Sequence, residues 1–193
     1  MFENNPSNTG HHVSVSNIKP EQITFGLPRE RGVQLRALAA ARGTTIVSVI
    51  EEVIARAVEA GEISDELKGF GEIIPDDDTL FVTIRGTALP ALDYVKAITV
   101  AAMLDLAAGR PVPDLDAELK EDHDFLFGIG GDMVFGVTRY SRAVLIVIAD
   151  VSNGDAIMQT STTPSIASDF ARLLRKHAST LAPSPKMSML KVA

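Results

Sequence analysis

The sequence predicts an α+β protein with a small N-terminal unit followed by a larger antiparallel sheet domain. Between residues 22 and 60 the apolar positions change from the two-residue period of a strand to the period of a helix. From residue 79 onward, one strand, one helix, four closely spaced strands and a last helix follow one another, so this part is β-α-ββββ-α. A chain of 193 residues with 46% hydrophobic content is long enough for two such units.

The N-terminal unit is predicted to contain one short strand and two helices. Apolar and polar or small residues alternate over 23–27, and Pro28 ends this alternation because it lacks a backbone donor. A first helix follows and ends at Gly43, after which Thr44 or Thr45 can cap a second helix. The apolar positions of the second helix recur at helical spacing: Ile46, Val49, Ile50, Val53, Ile54 and Ala57.

This strand, helix, Gly-Thr-Thr turn and apolar helix, in this order and at these lengths, resemble the ribbon-helix-helix family of DNA-binding proteins. The resemblance covers about residues 21–62. It implies that two chains pair their strands into an antiparallel ribbon, which enters the major groove of DNA. A strand of this length and two helices cannot bury enough apolar surface alone, so the resemblance implies an intertwined dimer with a shared core.

The resemblance also implies which residues would contact DNA. Three residues would point from the ribbon towards base edges: Gln22, Thr24 and Gly26. Arginines of the first helix would contact phosphates: Arg29, Arg31 and Arg36. A helix N-terminus presents unpaired N–H groups to anions, so the start of the second helix would also contact phosphate through Thr44, Thr45 and Ile46.

The charge of the chain leaves a second interpretation open. From Lys19 to Ile63 the basic residues equal the acidic ones in number, and Gly26 has no side chain with which to read a base. The formal net charge of −7 also argues against a protein that coats nucleic acid everywhere. The alternative is a structural or assembly protein of a larger complex, in which the same unit serves only for oligomerisation.

The remaining segments are assigned from composition and periodicity. Residues 1–20 are rich in Asn, Ser, Gly and Pro and are predicted to be a disordered arm, while 21–63 form the N-terminal unit. Residues 64–78 contain glycines, a proline and an acidic run and are predicted to be a linker, and 179–193 a flexible tail. An α+β domain of unknown role occupies the range 79–178.

Two features of this domain carry specific predictions. Its run from Ala143 to Ala149 is apolar on both faces, which predicts a central strand covered on each side. Asn153-Gly154 lies between two strand-like runs and predicts a hairpin with a type I′ turn.

No catalytic residue, metal site or cofactor is predicted, so the sequence favours a protein that is not an enzyme. The chain has no cysteine, and its four histidines form no recognisable nucleophile or metal motif. Neither a signal peptide nor a membrane-spanning run is recognisable, which favours the cytoplasm. The expected partners are DNA, further copies of the chain in a homodimer or higher homo-oligomer, and a protein bound by the second domain or the C-terminal tail.

Overall fold

The computed structural model describes residues 24, 26–112, 123–140 and 143–181. In these ranges the chain has four helices and two antiparallel sheets, of three and four strands. The elements are α1 (Arg29–Ala41), α2 (Ile46–Glu59), β1 (Gly71–Asp76), β2 (Thr79–Ile84), β3 (Thr87–Ala88), α3 (Tyr94–Ala107), β4 (Asp124–Gly130), β5 (Met133–Arg139), β6 (Val144–Asp150), β7 (Asp155–Thr162) and α4 (Pro164–Ala178). The α+β class is confirmed, and the strands form two sheets where the sequence predicted one.

The smaller sheet has the order β1-β2-β3 and corrects the prediction for 64–78. β1 lies inside the stretch predicted as a linker and pairs with β2 in the register Gly71↔Ile84 to Asp76↔Thr79. The proline within it, Pro75, suggested a break, but an edge strand tolerates proline because one of its sides needs no ladder hydrogen bonds.

The larger sheet is a meander with the order β4-β5-β6-β7. These are the four closely spaced strands that the sequence predicted, but the prediction for the last turn was wrong. The turn holds four residues, 151–154, and only Gly154 has a positive φ, of 74°. A loop of this length needs the left-handed conformation at fewer positions than a two-residue type I′ turn, so Asn153 keeps an ordinary backbone.

Helix α3 is the centre of the core and packs against α4, β2, β4 and β5. Most of its residues from Ala97 to Ala107 are buried, as predicted for a helix that is apolar on nearly all sides. Its one buried charge, Asp105, accepts hydrogen bonds from Ser168 Oγ at 3.0 Å and from Arg175 Nη1 at 2.5 Å. These bonds compensate the buried carboxylate and hold α3 against α4. Leu181, in the stretch predicted to be a tail, also belongs to this core.

The connection between α2 and β1 is attached to α4 by an ion-pair cluster. Asp65 lies 2.7 Å from Lys176 Nζ and 3.5 Å from Arg172 Nη1. The hydrogen bond from Lys176 is the main cause that lowers the pKa of Asp65, and Arg172 adds to it, against a smaller effect of burial. Earlier in the chain, Glu51 of α2 accepts a hydrogen bond from Ser165 Oγ at 2.6 Å, so α2 is also tied to the start of α4.

The pKa of Asp65 leads to a pH-dependent prediction. Because its folded pKa is lowered below the ordinary value of 3.8, the pairing stabilises the fold above that pH and is lost as the pH falls through the folded pKa. Asp65→Asn should therefore lower the free energy of unfolding by about 1 kcal/mol at pH 7, the upper range for partly exposed ion pairs. Urea denaturation at pH 7 and at about pH 2 measures the effect. A loss of equal size at both pH values would contradict the assignment.

Candidate nucleic-acid interface

The turn between α1 and α2 is defined by backbone and side-chain hydrogen bonds. Gly43 ends α1 with a φ of 63°, and the Thr44 N–H donates to the Ala39 carbonyl at 2.9 Å. Thr45 then caps α2, since its Oγ1 accepts from the Ser48 N–H at 3.1 Å. Of the two caps that the sequence allowed, Thr45 is the one used.

This helix pair leaves much of its apolar surface open. Only Ala39 and Val49 are buried in α1 and α2, and neither belongs to the core around α3. Seven large apolar residues of the unit are exposed: Leu27, Val33, Leu38, Val47, Val53, Ile54 and Ile63. An apolar surface of this extent is typical of a contact with another chain.

The predicted base-reading residues lie just before α1. Thr24 and Gly26 are exposed and belong to no strand of the single chain, and Gln22 lies outside the described residues. A ribbon strand would take its hydrogen bonds from the strand of a second chain, and in the single chain Thr24 and Gly26 are outside any sheet. A Cβ added at Gly26 would meet no heavy atom within 4 Å, so its surroundings are open.

The predicted phosphate-binding arginines are all exposed on α1. Arg31 Nη1 donates to Gln34 Oε1 at 2.8 Å, and none of the three arginines forms an ion pair within the described part of the chain. Being seven residues apart, Arg29 and Arg36 lie on the same side of α1, about 10 Å apart along its axis. Both guanidinium groups therefore remain available to an anionic partner.

The start of α2 has the features of an anion-binding helix N-terminus. Its first turn contains no acidic residue, and the cap uses only the Ser48 N–H. By helix geometry, the N–H groups of Ile46 and Val47 have no acceptor within the helix. Thr44 and Thr45 are exposed and Ile46 is half-buried, so the backbone here is accessible.

Two of the three acidic residues of α2, Glu51 and Glu52, are engaged with other side chains, which the sequence count did not show. Glu52 forms ion pairs with Arg42, at 2.5 Å, and with Arg56. Glu51 is hydrogen-bonded to Ser165. Equal numbers of acidic and basic residues therefore do not make the surface uniformly neutral. All three arginines of α1 are free of ion pairs in the described ranges, while the two adjacent glutamates of α2, Glu51 and Glu52, are held.

A separate cleft of about 600 Å³ lies between residues 64–73, the β2–β3 turn and α4. Buried aromatic rings of Phe70 and Phe170 form part of its wall, and Asp65 and Lys176, which are paired with each other, line its polar side.

In the described ranges, no group of three or more histidine or acidic side chains could hold a metal ion. None of the described helices is long and apolar enough to cross a membrane.

Comparison with known proteins adds no family. No protein-family model, curated protein or solved structure matches the chain. What the structure defines is an α+β protein whose N-terminal helix pair carries exposed arginines on α1 and an open apolar surface.

Proposed function

We propose that the protein is a dimeric, sequence-specific DNA-binding protein of the ribbon-helix-helix type, which acts in the cytoplasm as a transcriptional repressor or a mobile-element accessory factor. Residues 22–27 of two chains would form the ribbon that enters the major groove. The proposal includes no catalytic step and no cofactor.

The open apolar surface of α1 and α2 is the observation that carries the proposal. Val53 is 60% exposed and Ile54 50% exposed, although both lie on the strongly apolar side of α2. Full burial of such a side chain stabilises by about 1.5–3 kcal/mol, and because these two are already about half covered, roughly 1 kcal/mol remains to be gained for each. A second copy of the unit would cover them, and the same pairing would bring the two segments 22–27 together.

The positions of the polar and charged groups indicate which surface of the N-terminal unit would face DNA. The segment before α1, the arginines of α1 and the N-terminus of α2 are close in sequence, and each offers groups that bind base edges or phosphates. Gln22 and Thr24 would bond to base edges, with glutamine favouring adenine. Arg29, Arg31 and Arg36 would neutralise phosphates, together with the backbone from Thr44 to Ile46.

A DNA-shift assay on the sequence upstream of the protein's own coding region tests the proposal. The protein should bind a self-complementary site, and changing Gln22 and Thr24 together to alanine should remove preference for that site while the dimer persists. Changing Arg29 and Arg36 to alanine should weaken binding to all sequences and reduce the slope of affinity against salt by about one for each phosphate that is no longer neutralised.

Lys68→Ala is the matched control, because this lysine is 87% exposed and lies outside the helix pair. It should leave the salt dependence unchanged. A stable dimer that shifts no DNA at low salt would refute DNA binding and favour the alternative function, an assembly protein that uses the unit only for oligomerisation.

A further inference from the structure

The first turn of α4 is capped by a chain of hydrogen bonds that ends on α2. Thr163 Oγ1 accepts from the Ile166 N–H at 3.3 Å, and the hydroxyl oxygens of Thr163 and Ser165 lie 2.8 Å apart. Ser165 Oγ in turn donates to Glu51 Oε1 at 2.6 Å. A hydroxyl has one proton to donate, and Ser165 uses it on the carboxylate, so Thr163 is the donor to Ser165 Oγ. A glutamate of α2 therefore completes the cap of α4.

Glu51 also supplies the negative charge that the first turn of α4 lacks. This turn contains no acidic residue of its own. A carboxylate at a helix N-terminus is stabilised by the helix dipole, and a hydrogen bond to a charged group is stronger than one between neutral groups. Glu51 and Ser165 are both half-buried, so water screens their contact less than it screens a fully exposed pair.

The helix pair is joined to the rest of the chain by a short exposed segment. Helices α1 and α2 pack against each other, and their buried residues do not belong to the core around α3. Residues Ala60–Ser64, which follow α2, are exposed, and Asp65 directly after them is held to α4 by Lys176 and Arg172. Exposed segments with few buried contacts open most easily. The helix pair can therefore turn about this segment unless a contact such as that of Glu51 holds it.

The contact with α4 and the proposed dimer contact use opposite sides of α2. Glu51 and Val53 are two positions apart in the helix, which places them about 200° apart around its axis. Val53 is 60% exposed while Glu51 is bonded to Ser165, so this bond leaves the apolar surface open for a second copy. In the proposed dimer, each α2 would lie between the partner and the α4 of its own chain.

We propose that Glu51 is a positioning residue, which docks the N-terminal helix pair on the start of α4 and so lets the second domain set the placement of the DNA-binding unit. Removing this charge-assisted hydrogen bond should shift the ratio of docked to released helix pairs at least about tenfold towards the released form. The docking itself is independent of DNA, whereas its effect on DNA affinity rests on the proposed function. Any ligand or partner that moves the start of α4 would act on the DNA-binding unit through the same contact.

The distance between two spin labels in the full chain tests the docking. The chain has no cysteine, so Ala40→Cys on α1 and Ala156→Cys on β7, both at exposed positions, provide the two label sites. Diluting labelled chains into an excess of unlabelled chain restricts the measurement to distances within one chain. The labelled protein should give one narrow distance distribution. Glu51→Ala and Ser165→Ala should each broaden it and raise the ratio of released to docked form at least about tenfold.

Two further variants separate docking from a general loss of structure. Glu51→Gln keeps a side-chain oxygen that accepts the Ser165 hydrogen bond, so it should restore most of the docked form. Glu59→Ala is the matched control, because it removes the same charge from an exposed position of the same helix. It should leave the distribution narrow. A broad distribution without any of these changes, or a narrow one in Glu51→Ala, would overturn the docking.

A DNA-shift assay on the same variants distinguishes failure of this inference from failure of the proposed function. A released helix pair has to be ordered again when it binds, so Glu51→Ala should weaken binding to the self-complementary site several-fold, relative to Glu59→Ala. The dimer should persist, because Val53 is unchanged. Docking without any DNA shift would refute the proposed function alone. DNA binding that is equal in Glu51→Ala and Glu59→Ala would refute the positioning role alone.

Discussion

Replacing Phe170 with alanine should lower the free energy of unfolding by about 3–5 kcal/mol, the range found for removing a buried phenylalanine. Phe170 is fully buried and meets Phe70 edge to face, with ring centroids 5.3 Å apart and planes at 84°. Its ring also lies against Gly71, where a Cβ would come within 2.7 Å of it. Truncation would open a cavity at the point where α4 meets the smaller sheet, and urea denaturation would measure the loss.

Phe81→Ala is the matched control for this prediction. Phe81 is also a phenylalanine, and it lies in β2 of the smaller sheet, but it is 48% exposed. Its truncation should cost clearly less than that of Phe170, because about half of the side chain is already in water. Equal losses for the two variants would contradict the assignment of Phe170 to the core.

Val53→Lys should weaken DNA binding at least about 100-fold under the proposed function. The side chain is 60% exposed in the single chain, so the lysine should leave the fold of each copy unchanged. In the proposed dimer the same position is covered, and every dimer would bury two uncompensated ammonium groups. A penalty of about 2.8 kcal/mol already corresponds to a 100-fold change. A DNA-shift assay on these samples would measure the loss of DNA binding, and sedimentation on the same samples would measure the loss of the dimer.

Ala55→Lys is the control for Val53→Lys. Ala55 is exposed and lies on the side of α2 away from Val49 and Val53, so it adds the same charge to the same helix outside the proposed contact. It should leave the dimer intact. If both lysines abolish DNA binding, or neither changes association, the assignment of the α2 surface to dimerisation is wrong.

Local patterns predicted most of the secondary structure. The last predicted helix is α4, and its start at Thr163-Pro164 follows a local signal, because Thr163 Oγ1 accepts from the Ile166 N–H at 3.3 Å and proline is favoured at the first helical position. The one helix that was predicted between the first strand and the four strands of the second domain is α3. These predictions succeeded because caps and hydrophobic periods act over a few residues. β1 was missed because its stability comes from pairing with β2, which the composition of the segment 71–76 does not reveal.

The candidate site was predicted only in part. Sequence spacing indicated the cap at Thr44 or Thr45 and the exposed arginines of α1, because both depend on neighbouring residues. It could not show that Glu52 is held by Arg42 and Arg56, because side-chain geometry decides which charges are paired. It also could not show that α2 is tied to α4 through Glu51 and Ser165, which are 114 residues apart.

The sequence by itself determined the α+β class, the helix pair with its Gly-Thr-Thr turn, and the strands of the meander, since each depends on the period and end signals of a short segment. Only the tertiary structure decided that the strands divide into two sheets, that Asp65 joins Lys176 and Arg172, and that apolar surface stays open on α2. Burial depends on which distant segments pack together, and a local pattern shows that a surface is apolar without showing what covers it.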